Sequence, residues 1–300
     1  MKLKLLFWPF FAGCLSVAVP SQGTGLEDAV RCCMEGRKAE IGVAVIIQSK
    51  DTFVWNDGPR YPLMSVCKLF QALSVADYLE RNHLSLQTPV TVSKSDLKPD
   101  TYSPMRDRYP DGGITLSVAE LLEYSLQQSD NNACDILFRM TGGPEATDRY
   151  IRTKIGLENF CIAADEEAMH NDLSLCYSNW SSPLETARLL DALVTRPLFA
   201  DTTLQRFIRQ TMLDCDTGKD RLALPLQGTP ARIGHKTGTG DRNEDGEIIG
   251  VNDVGFVYLP DGRYYTIAVF IKDSQEDMVQ TAQAIAEISR IVYQYVESLR

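Results

Sequence analysis

Strand-like segments lie near both ends of this 300-residue chain, and helix-like segments occupy its middle. Residues 40–48 form a β-branched run typical of a buried strand, and residues 51–55 are predicted to be its hairpin partner. Three further strands are predicted at residues 232–237, 250–259 and 263–271. This order predicts an α+β fold, in which one antiparallel sheet flanked by helices is built from both termini and an all-helical domain is inserted between them.

The middle of the chain is mostly helical in its apolar spacing, and one polar segment interrupts it. The predicted helices cover residues 26–37, 65–78, 116–126, 131–140, 145–155, 182–193, 204–213 and 275–299. Residues 159–179 are polar and too long for an ordinary connection, which favours a functional loop. We therefore expect an α/β domain, formed by residues 24–63 and 215–300, and a helical domain formed by residues 64–214.

Residues 1–21 have the pattern of an export signal peptide. Two lysines precede an uncharged run at residues 5–19, which is too short for a comfortable membrane span. We expect this signal to be removed, leaving a periplasmic protein without a membrane span. Residues 11–14 also resemble a lipoprotein cleavage box, so lipid anchoring through Cys14 is an alternative.

Charge and histidine content exclude several kinds of partner. The formal net charge of −10 repels a phosphate backbone, so a nucleic-acid partner is not expected. The three histidines, His83, His170 and His235, do not lie at metal-ligand spacing, so neither a metal nor another cofactor is expected. Export permits disulfides among the eight cysteines, but the sequence leaves their pairing open. The expected oligomeric state is a monomer.

The first of four motifs that carry candidate chemistry is Ser65-Val66-Cys67-Lys68. Ser65 and Lys68 lie three residues apart, so on a helix they share a face. A lysine whose pKa is lowered by burial or by positive neighbours can take the proton of a serine and make that serine a nucleophile. Taken alone, the same pattern is more often a helix cap beside a surface lysine.

Ser129-Asp130-Asn131 and Lys236-Thr237-Gly238 are the second and third motifs. Ser129 could pass a proton to a leaving nitrogen and Asn131 could hold a substrate carbonyl, although a helix cap uses the same residue types. Lys236, Thr237 and Gly238 end a predicted strand. An edge strand presents backbone groups to a ligand, the two polar side chains could bind a carboxylate, and the glycine would allow close approach.

The fourth motif is Glu166 in the long polar loop, four residues before His170. A carboxylate in this place could activate a water molecule as a general base. The alternative is a solvated acidic cluster, because Asp165 and Glu167 flank this residue.

These motifs, in this order and at these spacings, resemble those of class A serine β-lactamases over nearly the whole exported length of the chain. Residues 128–135 and 234–238, with Met169 and His170 in the loop, are similar to the cephalosporinase-type subgroup of anaerobic gram-negative bacteria. The resemblance implies the fold given above. It also implies a small-molecule β-lactam substrate, whose ring is hydrolysed through a serine acyl-enzyme, and hence resistance to penicillins and cephalosporins.

The resemblance also implies roles for individual residues. Ser65 would be the nucleophile, Ser129 would carry a proton to the β-lactam nitrogen, and Glu166 would activate the deacylating water. The acylation base would be either Lys68 or Glu166. The implied substrate-binding residues are Tyr102, Asn131, His170, Arg221, Lys236, Thr237, Gly238 and Thr239, of which Thr239 would share the oxyanion hole with Ser65 through its backbone N–H.

Two positions depart from the family pattern. His170 stands where most of the family has Asn, which leaves the position of the deacylating water open. Asn252 stands at a strand position that often carries a substrate-anchoring Arg, and Arg221 is expected to supply that charge from a neighbouring segment. Two alternative functions share several motifs: a D-alanyl-D-alanine peptidase, which lacks the loop glutamate, and a non-catalytic β-lactam sensor domain.

Overall fold

The structure, a computed structural model, describes residues 25–299. The predicted export signal and Cys14 lie outside these described residues. Among the helices from residue 25 to residue 299, none combines the length and apolar character that a transmembrane helix requires.

Ten strands and ten α-helices form the part of the chain that the structure describes. The strands are β1 (Glu40–Ile47), β2 (Asp51–Trp55), β3 (Tyr61–Pro62), β4 (Pro89–Val92), β5 (Ile114–Ser117), β6 (Phe160–Cys161), β7 (Trp180–Ser181), β8 (Arg232–Thr239), β9 (Ile248–Tyr258) and β10 (Tyr264–Ser274). The helices are α1 (Leu26–Met34), α2 (Cys67–Arg81), α3 (Pro104–Arg108), α4 (Val118–Leu122), α5 (Asn131–Thr141), α6 (Pro144–Tyr150), α7 (Glu166–Asn171), α8 (Pro183–Thr195), α9 (Thr202–Leu213) and α10 (Met278–Ser298).

One five-stranded antiparallel sheet organises the molecule, in the order β2-β1-β10-β9-β8. Strands β1 and β2 come from the N-terminal part of the chain, and β8 to β10 come from the C-terminal part. The helices from α2 to α9 lie between them in sequence. The predicted α+β class, with a sheet built from both ends of the chain, is therefore confirmed, and β8 is an edge strand.

Both faces of the sheet are buried, and successive side chains along a strand point to opposite faces. Val43, Val45 and Val269 belong to a core shared with α1 and α10. Their neighbours Ala44 and Phe270 belong to the other core, which contains residues of the middle helices. Because successive side chains of a strand point to opposite faces, one β-branched run can support both cores.

The first ten residues of helix α2 are buried on all sides. Its residues from Cys67 to Ala76 are all buried, so it is a central helix and not an amphipathic surface helix. Its polar side chains therefore need partners inside the protein. Gln71 donates a hydrogen bond to the backbone carbonyl of Cys134, 2.8 Å away, and Lys68 has the contacts described below.

Several boundaries differ from the sequence-based predictions. The helix predicted over 116–126 begins later, at Val118, because Ser117 and Glu120 form a capping box there and the preceding residues pair with β4. The helix predicted from Ser65 starts with a 3₁₀ turn over Met64–Val66. The loop predicted at 159–179 contains helix α7, whose first turn is capped by the side chain of Asp165.

Candidate active site

Ser65 lies in the 3₁₀ turn that leads into α2. The preceding residue, Met64, has a φ of 49°, in the left-handed region that non-glycine residues rarely adopt. Two adjoining cavities of about 330 and 280 Å³ share Ser65, Tyr102, Asn131 and Thr239 in their walls. Cavities of this size accommodate a small-molecule ligand.

Lys68 brings three of the predicted residues together. Its Nζ donates to Ser65 Oγ at 2.8 Å and to Asn131 Oδ1 at 2.9 Å, and it forms a close ion pair with Glu166 Oε1. The side chain of Lys68 is fully buried. Burial disfavours its charge, but the Glu166 carboxylate outweighs burial and raises the pKa of Lys68 above its ordinary value. A lysine acting as base needs a lowered pKa, so the resting arrangement opposes that role.

Ser129 and Lys236 form a second pair on the opposite wall. Lys236 Nζ donates to Ser129 Oγ at 2.8 Å and to the backbone carbonyl of Thr237 at 2.9 Å. Ser129 has a φ of 64°, which marks a sharp turn before α5. Burial, together with the positive charge of Lys68, lowers the pKa of Lys236 to about 8. Two lysine side chains therefore meet at this cavity with opposite pKa shifts.

Asn131 joins α5 to the segment that carries Tyr102. Its Nδ2 donates to Thr101 Oγ1 at 2.7 Å, and its backbone N–H donates to the carbonyl of Tyr102 at 3.1 Å. Asp130 is fully buried, and its two carboxylate oxygens share the one hydrogen bond that the Ser103 hydroxyl donates, at 3.0 and 2.9 Å. Tyr102 is 58% exposed and lines both cavities.

Glu166 is positioned by Asp135, which sequence reasoning did not single out. Asp135 accepts the backbone N–H of Glu166 at 2.8 Å and that of Glu167 at 2.9 Å. Asp135 follows Asn131 by four residues on α5, so the two share a helix face. This four-residue spacing is the sequence feature from which Asp135 could have been selected as a site residue. His170 lies on α7 and lines the same cavities as Glu166.

Arg221 reaches the cavity from the segment before β8. It is 6% exposed, and it donates to the carbonyls of Gly238 and Asn252 at 2.9 Å and to Thr239 Oγ1 at 2.7 Å. Burial lowers the pKa of its guanidinium. Arg221 also lines the cavity together with Thr237. Its guanidinium therefore supports the fold through these hydrogen bonds and also places a positive charge in the wall of the cavity.

Gly238 and Asn252 serve the fold around Ser65. A Cβ on Gly238 would lie 2.7 Å from the carbonyl oxygen of Leu63. This glycine therefore allows the strand to pack closely against the turn before Ser65, whether or not a ligand is bound. Asn252 Nδ2 donates to the carbonyls of Pro62 and Leu63 at 2.8 and 3.1 Å. Asn252 thus holds β9 against the segment that carries Ser65, and Gly238 lets the edge strand β8 lie close to the same segment.

The arrangement was compared with known proteins. A sequence profile described as "Beta-lactamase enzyme family" matches residues 25–296. This chain belongs to the β-lactamase enzyme family. It is similar to a β-lactamase of Bacteroides uniformis, 40% identical over 93% of this chain and 94% of the relative. It is also similar to the extended-spectrum β-lactamase PER-1 of Pseudomonas aeruginosa, 32% identical over 93% of this chain and 90% of the relative.

Solved structures agree with this assignment. A class A β-lactamase from Bacteroides cellulosilyticus is 40% identical, with a TM-score of 0.86 over 91% of this chain and 97% of that one. The resemblance to class A β-lactamases is therefore confirmed. The activity of this β-lactamase is hydrolysis of β-lactams, which gives antibiotic resistance, and this function is favoured over the peptidase and sensor alternatives.

Replacing Asp135 with asparagine is expected to lower kcat about tenfold to hundredfold through misplacement of Glu166. An asparagine keeps one acceptor oxygen but turns an NH₂ group toward one of the two backbone N–H groups that Asp135 now receives. Steady-state kinetics with a chromogenic cephalosporin measures the effect.

The matched control for this substitution is Asp96→Asn. Asp96 caps a turn by accepting the backbone N–H of Ser93, but this turn does not carry Glu166. We expect it to leave kcat within about twofold of the wild-type value, as surface caps affect stability and not chemistry. An unchanged kcat in Asp135→Asn would contradict the positioning role.

Proposed function

We propose that this β-lactamase acts through an acyl-enzyme formed on Ser65. The observation that carries the proposal is that the buried ammonium of Lys68 contacts Ser65 Oγ, Asn131 Oδ1 and Glu166 Oε1 at once. A hydroxyl, a cation and a carboxylate in mutual contact beside a cavity are the parts that nucleophilic catalysis by serine requires.

In acylation, Glu166 is the base and acts through a water molecule. Lys68 holds its proton in the resting enzyme, because the Glu166 carboxylate raises its pKa. The Ser65 oxygen attacks the β-lactam carbonyl carbon while its proton passes through the water to Glu166. The backbone N–H groups of Ser65 and Thr239 receive the negative charge that develops on the carbonyl oxygen.

Ring opening requires a proton on the departing nitrogen, and Ser129 supplies it. The Ser129 oxygen already accepts a hydrogen bond from Lys236, so its own hydrogen is free to point to the substrate. As the C–N bond breaks, Ser129 gives this proton to the nitrogen and Lys236 can replace it. The lowered pKa of Lys236 makes that donation easier.

Deacylation uses Glu166 a second time. The proton that Glu166 took in acylation first passes on to replace the one that Lys236 gave to Ser129, so that Glu166 is again a carboxylate. It then takes a proton from a water molecule, which attacks the ester carbonyl, and gives this proton to the Ser65 oxygen as the ring-opened acid is released. His170 lines the same cavity as Glu166 and so borders this water in place of the usual Asn.

Cations within the cavity would bind the substrate carboxylate. Lys236 and Arg221 are both buried beside Thr237, which gives this edge of the site a positive charge within a chain of net charge −10. Asn131 would hold the substrate amide and Tyr102 would wall the mouth. We propose penicillins and cephalosporins as the substrates.

Three further expectations accompany this mechanism. We propose export to the periplasm after removal of residues 1–21, and action as a monomer. We also propose that residues 24–63 with 215–300, and residues 64–214, are the two structural domains. The sheet order, which joins strands from both parts of the chain, supports this division.

Acid quenching during turnover of a cephalosporin, followed by peptide mapping, tests the mechanism. The acyl mass is expected on the peptide that contains Ser65, because the ester survives in acid. An adduct on another residue would contradict the proposal.

The value of kcat/KM is expected to fall above pH 8. The pKa of Lys236 is lowered to about 8, so in the free enzyme this side chain loses its positive charge as the pH rises through that value. Since kcat/KM reports ionisations of the free enzyme, kcat/KM should decrease on the alkaline side with a midpoint near this pKa.

Lys236→Arg is the matched control, because arginine stays protonated over this whole range. Its absolute kcat/KM will be lower, but its alkaline decrease should disappear below pH 10. A wild-type profile that is flat between pH 7 and pH 10 would show that Lys236 does not titrate there.

A further inference from the structure

The wall of the active-site cavity that contacts Asn131 is a segment without regular secondary structure. Residues 98–102, here called the wall segment, connect a 3₁₀ turn to α3 and belong to no helix or strand of the described chain. Thr101 and Tyr102 of this segment line the cavity beside Ser65. Backbone carbonyls outside helices and sheets need other hydrogen-bond donors, so the shape of this wall depends on what supplies them.

Arg106 of α3 supplies these donors. Its Nη1 lies 2.9 Å from the carbonyl oxygen of Lys98 and 2.6 Å from those of Pro99 and Thr101, so its two hydrogens are shared among three acceptors. The other edge of the guanidinium, Nε and Nη2, donates to Asp107 Oδ1 at 3.2 and 2.8 Å. Because Asp107 offsets its charge, the guanidinium acts on the wall segment mainly through hydrogen bonds.

Two asparagines of α5 hold the same segment from the inside. The buried Asn132 accepts the backbone N–H of Lys98 at 3.1 Å and donates to the carbonyl of that residue at 3.3 Å. Asn131 Nδ2 donates to Thr101 Oγ1 at 2.7 Å, while Asn131 Oδ1 accepts from Lys68 at 2.9 Å. Thr101 and Lys68 therefore fix the two ends of one amide group, and a displacement of Thr101 would turn it.

We propose that Arg106 is a positioning residue for recognition of the acylamide side chain of the substrate. By holding the carbonyls of the wall segment, Arg106 fixes Thr101 and, through it, the amide of Asn131 before a substrate binds. Such preorganisation lowers the ordering cost of binding, so it acts on KM more than on the chemical step. The inference rests on the function proposed for Asn131, which is to hold the substrate amide.

Arg106 acts in this way without touching the substrate. Among the described residues, the cavity wall beside Ser65 includes Thr101 and Tyr102 but not Arg106. The side chain of Arg106 is only 21% exposed, and its donors are directed at the wall segment and Asp107. Its effect on a ligand must therefore pass through the wall segment.

The test compares two penicillins that differ in the acylamide group. Benzylpenicillin carries this group, and aminopenicillanic acid has a free amine in its place. Arg106→Met removes the donors but keeps an apolar stem. It should raise KM for benzylpenicillin about threefold to tenfold and leave kcat within about twofold. KM for aminopenicillanic acid should stay within about twofold of the wild-type value. An equal rise for both substrates, or no rise for either, would overturn the proposal.

Arg108→Met is the matched control. Arg108 lies two residues further along α3, and its guanidinium carbon lies 5.3 Å from the ring centroid of Tyr109. The same chemical change is thus made without loss of a donor to the wall segment. Both kinetic constants should stay within about twofold for both penicillins. A selective rise in KM equal to that of Arg106→Met would refute the proposal, because loss of any nearby cation would then explain it.

Arg106→Lys separates the hydrogen bonds from the charge. Lysine keeps the positive charge but lacks the planar guanidinium that spans three carbonyls and Asp107. KM for benzylpenicillin should remain raised, and recovery of the wild-type value would overturn the proposal. Thermal unfolding tests whether each variant is intact. If Arg106→Met does not fold, the same comparison of the two penicillins is made with Arg106→Lys.

Thr101→Val distinguishes failure of this proposal from failure of the proposed function. Valine has nearly the size of threonine but removes the acceptor of the Asn131 amide, so the same selective rise in KM is expected. If Thr101→Val shows this rise and Arg106→Met does not, the positioning role of Arg106 is refuted and the function proposed for Asn131 stands. If Thr101→Val responds equally to both penicillins, the function proposed for Asn131 fails, whether or not Ser65 forms an adduct.

Discussion

Glu166→Gln is expected to accumulate an acyl-enzyme on Ser65 and to slow deacylation about 10³-fold, within the range for loss of a general base. Glutamine keeps the size of the side chain but cannot take a proton from the deacylating water. The hydrolysis rate should fall to this deacylation rate after a rapid burst of one equivalent. Mass spectrometry of the intact protein would show the adduct directly.

Acylation should survive this substitution through Lys68. The Glu166 carboxylate is what raises the pKa of Lys68, and burial acts in the opposite direction. With the carboxylate removed, burial and the nearby charge of Lys236 should lower the pKa of Lys68, so that a neutral amine becomes available 2.8 Å from Ser65 Oγ. Glu166 is then the acylation base when residue 166 carries a negative charge, and Lys68 is the base when residue 166 is neutral.

Glu167→Gln is the matched control. Glu167 is the next residue of α7, but its side chain is 46% exposed and pairs with Lys98 at 2.8 Å. We expect nearly wild-type turnover and no adduct. Wild-type turnover in Glu166→Gln, or an adduct in Glu167→Gln instead, would show that the general base was assigned to the wrong carboxylate.

Ser65→Ala is expected to lower kcat/KM about 10⁴-fold or more and to abolish the covalent adduct, because the nucleophile is removed. The fold should remain, since Lys68 keeps Asn131 and Glu166 as partners. Steady-state kinetics and mass spectrometry measure the two effects. Thermal unfolding tests whether the protein is intact.

Ser74→Ala provides the comparison for this variant. Ser74 lies on the same helix and is buried, but it is far along α2 from the cavity. Its replacement should leave kcat/KM within about twofold, as expected for a site outside the chemistry. If Ser65→Ala kept substantial turnover with a normal adduct, the nucleophile would have to be another residue.

The sequence predicted the fold class and the family, and both are confirmed. Strands could be predicted because β1, β9 and β10 are apolar runs bounded by turns, and pairing from both chain ends then follows. Strands β4 and β5 were missed. Each has only four residues, of which two are large apolar side chains, so the local apolar pattern is too short to indicate a strand and the pairing depends on tertiary context.

Two features of the site could not be predicted from the chain. The direction of the Lys68 pKa shift depends on Glu166, which lies 98 residues away and reaches Lys68 only when the loop is folded. The spacing from Asn131 could place Asp135 on the same helix face, but its role depends on the same loop, because its carboxylate accepts backbone N–H groups that no side-chain pattern reveals. The chemical roles of the motif residues remain predictions for the experiments above.

The burial of α2 from Cys67 to Ala76 limits which substitutions the protein can tolerate behind the nucleophile. From Cys67 to Ala76 the helix has no solvent-facing position, and large-to-small changes at buried apolar sites typically cost about 2–5 kcal/mol. Exposed positions such as Tyr102 and Leu173 line the mouth and carry no such cost. Substitutions that adapt the enzyme to new β-lactams are therefore expected at the rim of the cavity, while the buried part of the helix behind the nucleophile is expected to stay unchanged.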